Sequence, residues 1–187
     1  MRQPYFNIFT GPMFGSKTTK MLAAIERASY QNKNVIAFKP KMDNRYAEGE
    51  IVTHTGIKFP AYNVRNGSEI KSLSKDYDVV AVDEAFMIPG ISEALISLFK
   101  LGKSIIVSSI QISATGQVFE EIRDILPWGT NIEICPAVCP YTGDDAFYTV
   151  RKLESLNEIE VGGSETYEPR AWSSTPFMNL KDGEYYD

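Results

Sequence analysis

The stretch from Gly11 to Thr18, Gly-Pro-Met-Phe-Gly-Ser-Lys-Thr, constrains the fold of this chain more than any other. It follows an apolar run at residues 5–9 and precedes a segment in which apolar residues recur at helical spacing. A strand, a glycine-containing loop ending in Lys-Thr and a helix together indicate a phosphate-binding loop, in which backbone N–H groups at a helix N-terminus hold a phosphate chain. In such a loop Lys17 reaches the β- and γ-phosphates of a nucleotide, and the Thr18 hydroxyl ligates Mg²⁺.

The order of two residues in this phosphate loop (residues 11–18) is unusual. The common pattern places glycine directly before the lysine, whereas here Gly15 precedes Ser16. Glycine there lets the backbone approach a phosphate without a Cβ, so we expect Ser16 to make the loop less efficient. An ordinary glycine-containing turn is the alternative, and the Lys-Thr pair with its flanking strand and helix patterns argues against it.

Composition indicates a soluble globular protein with one substantial domain and room for a small appendage. The chain has 187 residues, 43% of them hydrophobic and 23% charged, with no apolar run near the ~20 residues that cross a bilayer. The N-terminus lacks a signal-peptide pattern, so we expect a cytoplasmic protein without membrane contact. A net charge of −5 argues against nucleic-acid binding. Cys135 and Cys139 do not form a CxxC motif, and we expect two reduced thiols without a special role.

The remaining patterns predict a parallel α/β sheet. Short apolar runs at 34–38, 78–82, 104–110 and 131–134 are typical of buried parallel strands, and helices are predicted at 17–32, 68–74, 91–101 and 119–126. Residues 146–151 are predicted to pair with 159–161 as a hairpin, and the polar tail at 173–187 to be a flexible arm.

Two carboxylates, Asp83 and Glu84, directly follow the apolar run at 78–82. Ligands of open parallel sheets bind at the carboxyl ends of the strands. In phosphate-loop enzymes one acid at this position holds Mg²⁺, and a second can take the proton of an attacking hydroxyl. Adjacent acids also occur as plain solvated loop residues, but together with the phosphate loop they indicate phosphoryl transfer.

Several motifs in order and spacing resemble the thymidine kinase family that has a phosphate-loop core and a small lasso domain. The resemblance covers residues 5–172. It rests on the phosphate loop, on Phe38-Lys39-Pro40 with Asp43, Arg45 and Tyr46, on residues 52–56, on Asp83-Glu84-Ala85, on residues 146–151, and on Val161-Gly162-Gly163 with Glu165 and Tyr167.

The resemblance implies a P-loop NTPase fold of the RecA-like type and transfer of the ATP γ-phosphoryl group to the 5′-hydroxyl of a deoxynucleoside, thymidine or a close analogue. It divides the chain into a nucleotide-binding domain at 1–134, a lasso domain at 135–172 and an acidic tail at 173–187. It also implies a homo-oligomer, often a tetramer.

The resemblance assigns roles to individual residues. Glu84 is the general base, Arg45 and Lys17 act on the phosphates, and Thr18 and Asp83 hold Mg²⁺. The phosphate-binding residues are Gly11, Pro12, Met13, Phe14, Gly15, Ser16, Lys17 and Thr18. The nucleoside-binding residues are Met13, Met87, Ile110, Phe119, Val161, Gly163 and Tyr167, although Met13, Met87, Ile110 and Phe119 could also simply be core.

The chain departs from this family at its structural zinc site. Of the four cysteines that usually hold zinc only Cys139 remains, since Thr142, Ala171 and Ser174 occupy the other positions. One thiol cannot form a tetrahedral zinc site. We therefore expect no zinc, and a lasso domain held by packing around Tyr167, Pro169 and Trp172.

The expected base pocket departs from the family as well. Phe86 stands in place of a glutamine, Ala114 in place of an aromatic residue, and Gln111 and Thr115 in place of an acidic and a basic residue. The pocket is therefore expected to be wider, which leaves room for a modified pyrimidine. Two other functions stay open: a catalytically weakened regulatory homologue, which the retained Lys17, Arg45 and Glu84 argue against, and an ATPase acting on nucleic acid, which the acidic charge disfavours.

Overall fold

The structure is a computed structural model that describes residues 3–43, 49–53, 55–152 and 161–178. The strands in chain order are β1 (Phe6–Thr10), β2 (Val35–Pro40), β3 (Glu50–Val52), β4 (Lys58–Pro60), β5 (Tyr62–Val64), β6 (Val79–Val82), β7 (Ser104–Ser109), β8 (Asn131–Ile134), β9 (Ala137–Val138), β10 (Asp145–Ala146), β11 (Tyr148–Arg151) and β12 (Tyr167–Arg170). The helices are α1 (Lys17–Tyr30), α2 (Gly67–Leu73), α3 (Ile91–Lys100) and α4 (Glu120–Ile125).

Six parallel strands form the central sheet, in the order β5-β2-β6-β7-β1-β8. Every residue of β6 and β7 is buried, which explains why β6 is entirely apolar and why β7 has an apolar centre at 105–107 between buried serines. The predicted parallel α/β sheet is confirmed. The phosphate loop leaves the carboxyl end of β1 and Asp83 follows the carboxyl end of β6, with β7 between these two strands.

The helices cover both faces of this sheet. On one face α1 buries Met21, Leu22, Ile25 and Ala28 against strand residues, and Ile51 of β3 joins the same cluster. The other face packs against α2, α3 and α4 through a larger apolar cluster that includes Ile70, Leu95 and Ile122. Within the described ranges no helix is long and apolar enough to cross a membrane.

Helix α1 ends at Tyr30, two residues earlier than predicted. Asn32 adopts a left-handed conformation (φ 58°), and the Lys33 N–H donates a hydrogen bond to the Ala28 carbonyl at 3.2 Å. Asparagine is one of the few residues that tolerate this helix-ending conformation. Likewise the predicted helix at 119–126 ends at Ile125, because the chain continues as a 3₁₀ turn, Leu126–Trp128, that contains Pro127.

The segment at 135–172, which was expected to form a lasso domain and keeps that name below, contains two short antiparallel ribbons, β9–β10 and β11–β12. Among the described residues the partner of β11 is β12, which was not predicted, with Tyr148 opposite Arg170 and Arg151 opposite Tyr167. Residues 159 and 160 of the predicted partner lie outside the described residues, and Val161 is in no strand. The alternating pattern identified β11 correctly but could not fix its long-range partner.

The first residues of the predicted flexible tail have defined positions. Trp172–Ser174 form a 3₁₀ turn, and the Thr175 side chain is fully buried. Residues 179–187, the rest of that prediction, lie outside the described residues, as do Arg45, Tyr46 and His54.

Candidate functional site

The phosphate loop has an unusual backbone. Gly11 (φ 135°), Phe14 (φ 65°) and Ser16 (φ 58°) all have positive φ angles, and Ser16 immediately precedes the first residue of α1. Glycine adopts such angles without strain, whereas Phe14 and Ser16 carry a steric penalty. Strained residues of this kind persist only where the surrounding structure holds them, which is typical of binding sites.

The carbonyl oxygen of Cys135, which follows β8, explains both glycines of the loop. A Cβ at Gly11 would lie 2.4 Å from this oxygen, and a Cβ at Gly15 would lie 2.2 Å from it. Neither position accepts a larger residue, because the obstacle is backbone. The order Gly15-Ser16 therefore places glycine where the chain packs most closely and leaves the exposed Ser16 in the strained conformation.

Lys17 lies folded against its own loop. Its side chain is buried, and its ammonium donates a hydrogen bond to the Pro12 carbonyl at 2.5 Å. The charge is therefore already positioned inside the loop, where a bound phosphate chain would compete with the carbonyl for it.

Thr18 and Asp83 meet across the sheet edge. The Thr18 hydroxyl lies 3.2 and 3.3 Å from the two Asp83 carboxylate oxygens. Burial, and secondly the charge of Glu84, raise the pKa of Asp83 to about 7, against the opposing effects of Ser108, Lys17 and Thr18. A hydroxyl beside a buried, electrostatically disfavoured carboxylate is a donor set that fits Mg²⁺, whose charge would relieve the repulsion between the two acids.

Glu84 begins a 3₁₀ turn, Ala85–Met87, and has a left-handed backbone (φ 49°, ψ 44°). Non-glycine residues in this conformation are uncommon and cluster at functional sites. Its side chain lines the same cavity as Lys17, Thr18 and Asp83. The sequence prediction that the two acids and the phosphate loop converge is thus realised in the geometry.

The cavity that Lys17, Thr18, Asp83 and Glu84 share is called the phosphate cavity below. It is lined by residues from the phosphate loop and from the ends of three strands. Its lining residues are Met13, Phe14, Gly15, Ser16, Lys17, Thr18, Thr19, Lys39, Asp43, Ile51, Val52, Thr53, Asp83 and Glu84. Lys39 and Asp43 are buried charged residues to which sequence reasoning gave no role. Their position at the end of β2, on the same sheet edge as Asp83, was the signal that could have identified them.

The expected nucleoside-binding residues are more dispersed. Among the described residues only Met13 of this set lines the phosphate cavity. Ile110 and Phe119 belong to the apolar core, with Phe119 4.7 Å from the Phe86 ring, and Met87 lines a separate cavity beside Pro40 and Arg65.

The other three lie in the lasso domain. Val161 and Gly163 precede β12, and the Gly163 carbonyl accepts a hydrogen bond from the Tyr167 N–H at 3.0 Å. Tyr167 is buried, and its hydroxyl accepts a hydrogen bond from Arg151 at 3.2 Å. The lasso domain also contacts the phosphate loop directly, because the Thr149 hydroxyl of β11 accepts the Met13 N–H at 2.9 Å.

The residues at the expected zinc position do not fit zinc. The Cys139 sulfur lies 3.3 Å from the Ser174 hydroxyl, which in turn donates to the Ala171 carbonyl at 3.2 Å. Thr142 accepts a hydrogen bond from the Asp144 N–H. In the part of the chain that the structure describes, no group of three His, Cys, Asp or Glu residues could hold a metal. Of these four positions only Cys139 carries a side chain of the kind that ligates zinc in structural sites, so the absence of zinc stays a prediction.

The lasso domain is held by a charged network that the sequence did not suggest. Arg170 bonds the Glu168 carboxylate through Nε at 2.9 Å and through Nη2, and its Nη1 bonds the Ser174 carbonyl at 2.9 Å. The Tyr141 ring lies 3.8 Å from the guanidinium carbon. Both charged side chains are largely buried, at 18% and 12% exposure. Trp172, expected to pack here, is instead 57% exposed.

Phe14 connects the phosphate loop to the lasso domain. Its ring packs against a cluster of four small buried residues, Ala137, Cys139, Ala146 and Ala171. We call this cluster the Phe14 socket. The strained backbone of Phe14 is therefore held by contacts with the lasso domain as well as by the loop itself.

Comparison with known proteins is consistent with this site. The family model described as thymidine kinase matches residues 5–172. The chain is 32% identical over 179 residues to a protein named thymidine kinase from Thermococcus kodakarensis, covering 89% of this chain and 91% of that protein. It is also 32% identical over 174 residues to a thymidine kinase from Pyrobaculum aerophilum, covering 87% and 94%. From its site geometry and these matches, the chain belongs to the thymidine kinase family and is a kinase.

Proposed function

We propose that this kinase transfers the γ-phosphoryl group of ATP to the 5′-hydroxyl of thymidine or a closely related pyrimidine deoxynucleoside. One observation carries the proposal: Lys17, Thr18, Asp83 and Glu84 converge on a single cavity at the carboxyl edge of the sheet. The names of the two relatives support thymidine as the acceptor.

Each of these residues has a role in the proposed reaction. Lys17 exchanges the Pro12 carbonyl for the phosphates, and the N–H groups of the phosphate loop hold the rest of the chain of phosphates. Thr18 and Asp83 would hold Mg²⁺, which when bound supplies positive charge that offsets the charge on the phosphoryl oxygens. Arg45, which lies outside the described residues, is proposed to add a second positive charge.

Glu84 is the proposed general base. It lies one residue beyond Asp83 and lines the same cavity, so one carboxylate can face the metal while the other accepts the proton of the 5′-hydroxyl. The strained backbone of Glu84 is consistent with a side chain held in one functional orientation.

The nucleoside is proposed to bind between the sheet edge and the lasso domain. The proposed contacts from the sheet side are Met13, Met87, Ile110 and Phe119, and those from the lasso domain are Val161, Gly163 and Tyr167. Residues 110–118 include no aromatic side chain. This supports a pocket that also accepts pyrimidines with a larger substituent. A homo-tetramer is proposed from the family, and light scattering of the purified protein would test it.

The function is tested by incubating the protein with ATP labelled at the γ-phosphate, Mg²⁺ and a panel of deoxynucleosides. We expect label in the 5′-monophosphate of thymidine and of 5-substituted deoxyuridines, and loss of the product when the metal is chelated. Equal labelling of purine nucleosides would contradict the pyrimidine assignment. ATP binding without transfer to any nucleoside would instead favour the catalytically weakened homologue.

A further inference from the structure

The segment after the lasso domain is fixed onto it. The Thr175 side chain is fully buried, and its hydroxyl donates a hydrogen bond to the Ala171 carbonyl at 2.8 Å. The Met178 N–H donates to the Thr175 carbonyl at 3.1 Å, which closes a turn around Phe177. The position of Phe177 is therefore set by the chain on both sides of it.

Phe177 contacts two different parts of the molecule. Its ring lies 5.9 Å from the Tyr148 ring of β11, at 88°, which is the favourable edge-to-face arrangement. It also lies against Gly116, where a Cβ would come within 3.1 Å of the ring. Gly116 also has a positive φ of 84°, a conformation that favours glycine, and the Phe177 ring leaves little space for a side chain there.

Gly116 belongs to the 110–118 loop, which connects the carboxyl end of β7 to α4. The loop is internally tight: the Ser113 N–H bonds the Gln117 carbonyl at 2.7 Å, and Ile112 forms a bridge with Val118. These hydrogen bonds connect the two halves of the loop, and Phe177 contacts it near its tip at Gly116. The loop begins at Ile110 and is followed directly by Phe119, and both of these residues are expected to contact the nucleoside.

Strand β11 is the second element that Phe177 contacts, and it carries the groups that connect the lasso domain to the site. The Thr149 hydroxyl accepts a hydrogen bond from the Met13 N–H, and Arg151 donates a hydrogen bond to the Tyr167 hydroxyl. Phe177 therefore bridges the two walls between which the nucleoside would bind, one from the sheet edge and one from the lasso domain.

We propose that Phe177 is a positioning residue for the nucleoside: its ring sets the separation between the 110–118 loop and β11 and thereby the width of the base pocket. This inference rests on the proposed function. It gives the C-terminal segment a part in substrate selection, because the 110–118 loop has no aromatic ring of its own and receives one from Phe177.

The test compares Phe177→Ala with two other variants. Phe177→Ala removes the ring and is expected to raise the KM for thymidine about tenfold, the effect of losing one well-packed aromatic contact. The KM for ATP is expected to stay unchanged. Deoxyuridines with bulky 5-substituents should gain relative to thymidine. Phe177→Tyr keeps the ring and should retain the wild-type values. Trp172→Ala, which removes an exposed ring two residues after the end of β12, is the matched control and should change neither constant.

Hydrogen exchange gives a readout that does not depend on catalysis. If Phe177 holds the 110–118 loop, its amides exchange faster in Phe177→Ala than in the wild type or Trp172→Ala. Faster exchange with an unchanged thymidine KM and unchanged nucleoside ranking would overturn the proposal, as would unchanged exchange. If the wild-type protein phosphorylates no nucleoside, the proposed function itself is refuted. This outcome is distinct from a failure of the Phe177 proposal, which concerns only differences between the variants and an active wild type.

Discussion

Ser16→Gly tests whether the left-handed residue before Lys17 carries a real cost. Ser16 has φ 58° and ψ 21°, and its side chain makes no capping hydrogen bond to the backbone. A non-glycine residue in this conformation costs about 1–2 kcal/mol. Glycine removes that cost but loses roughly 0.5–1 kcal/mol through its greater freedom in the unfolded chain.

The expected net gain is therefore about 1 kcal/mol in the free energy of unfolding. In a chain of this size that corresponds to a rise in Tm of about 2–4 °C. The same substitution should tighten binding of Mg-ATP, because it removes a Cβ from the phosphate side of the loop. Thermal unfolding and calorimetric titration with a non-hydrolysable ATP analogue measure the two effects.

Two comparison variants make the test specific. Ser29→Gly places the same substitution in the regular helix α1, where it should lower stability by roughly 0.5–1 kcal/mol. The exchanged variant Gly15→Ser with Ser16→Gly, which restores the common residue order, should be strongly destabilised because of the Cys135 carbonyl. A Ser16→Gly protein that is no more stable than the wild type would refute the strain argument, and an exchanged variant that folds normally would refute the packing argument.

Four further predictions follow from the site and the lasso domain. Glu84→Gln should lower turnover by ~10² to 10⁴ with nearly unchanged nucleoside affinity in steady-state assays, whereas the exposed Glu93→Gln should not. Elemental analysis should find no stoichiometric zinc, and chelators should leave the Tm unchanged; one zinc per chain would contradict this. Arg170→Met should cost about 3–5 kcal/mol in urea unfolding by leaving the buried Glu168 carboxylate without its partner, and Glu168→Gln in the same chain should recover part of the loss. Because the pKa of Asp83 is raised to about 7, ionisation of this carboxyl opposes folding as pH rises from about 4 to 7. In the absence of metal, the stability of Asp83→Asn relative to the wild type should therefore increase across that range, by at most about 1.4 kcal/mol per pH unit. A stability difference that does not change with pH would contradict this prediction.

The core of the fold was predictable because its signals are local. The apolar runs that form β2, β6 and β7 are buried on both faces, and the phosphate-loop motif predicts both the strand before it, β1, and the helix after it, α1. The convergence of Lys17 and Asp83 followed from one further rule, that parallel strands present their carboxyl ends at a common edge.

The lasso domain was less predictable because its stability comes from long-range pairs. Glu168 and Arg170 are two residues apart on one strand, and nothing in their spacing indicates that the Tyr141 ring stacks on Arg170 while its hydroxyl bonds Glu168. The reason for Gly15 was hidden in the same way, since the Cys135 carbonyl that requires it lies far away in the sequence. The pairing of β11 with β12 was not predicted because an alternating pattern identifies a strand but not its partner.

The Phe14 socket has a consequence for the order in which this protein can become active during synthesis. The phosphate loop is made first, yet the Cys135 carbonyl and the socket residues emerge from the ribosome more than a hundred residues later. A nascent chain that ends before them contains the entire Gly11–Thr18 motif but none of the surfaces that hold Phe14 in its strained conformation. The phosphate loop can therefore reach its nucleotide-binding conformation only late in synthesis, once the C-terminal third of the chain has folded against it.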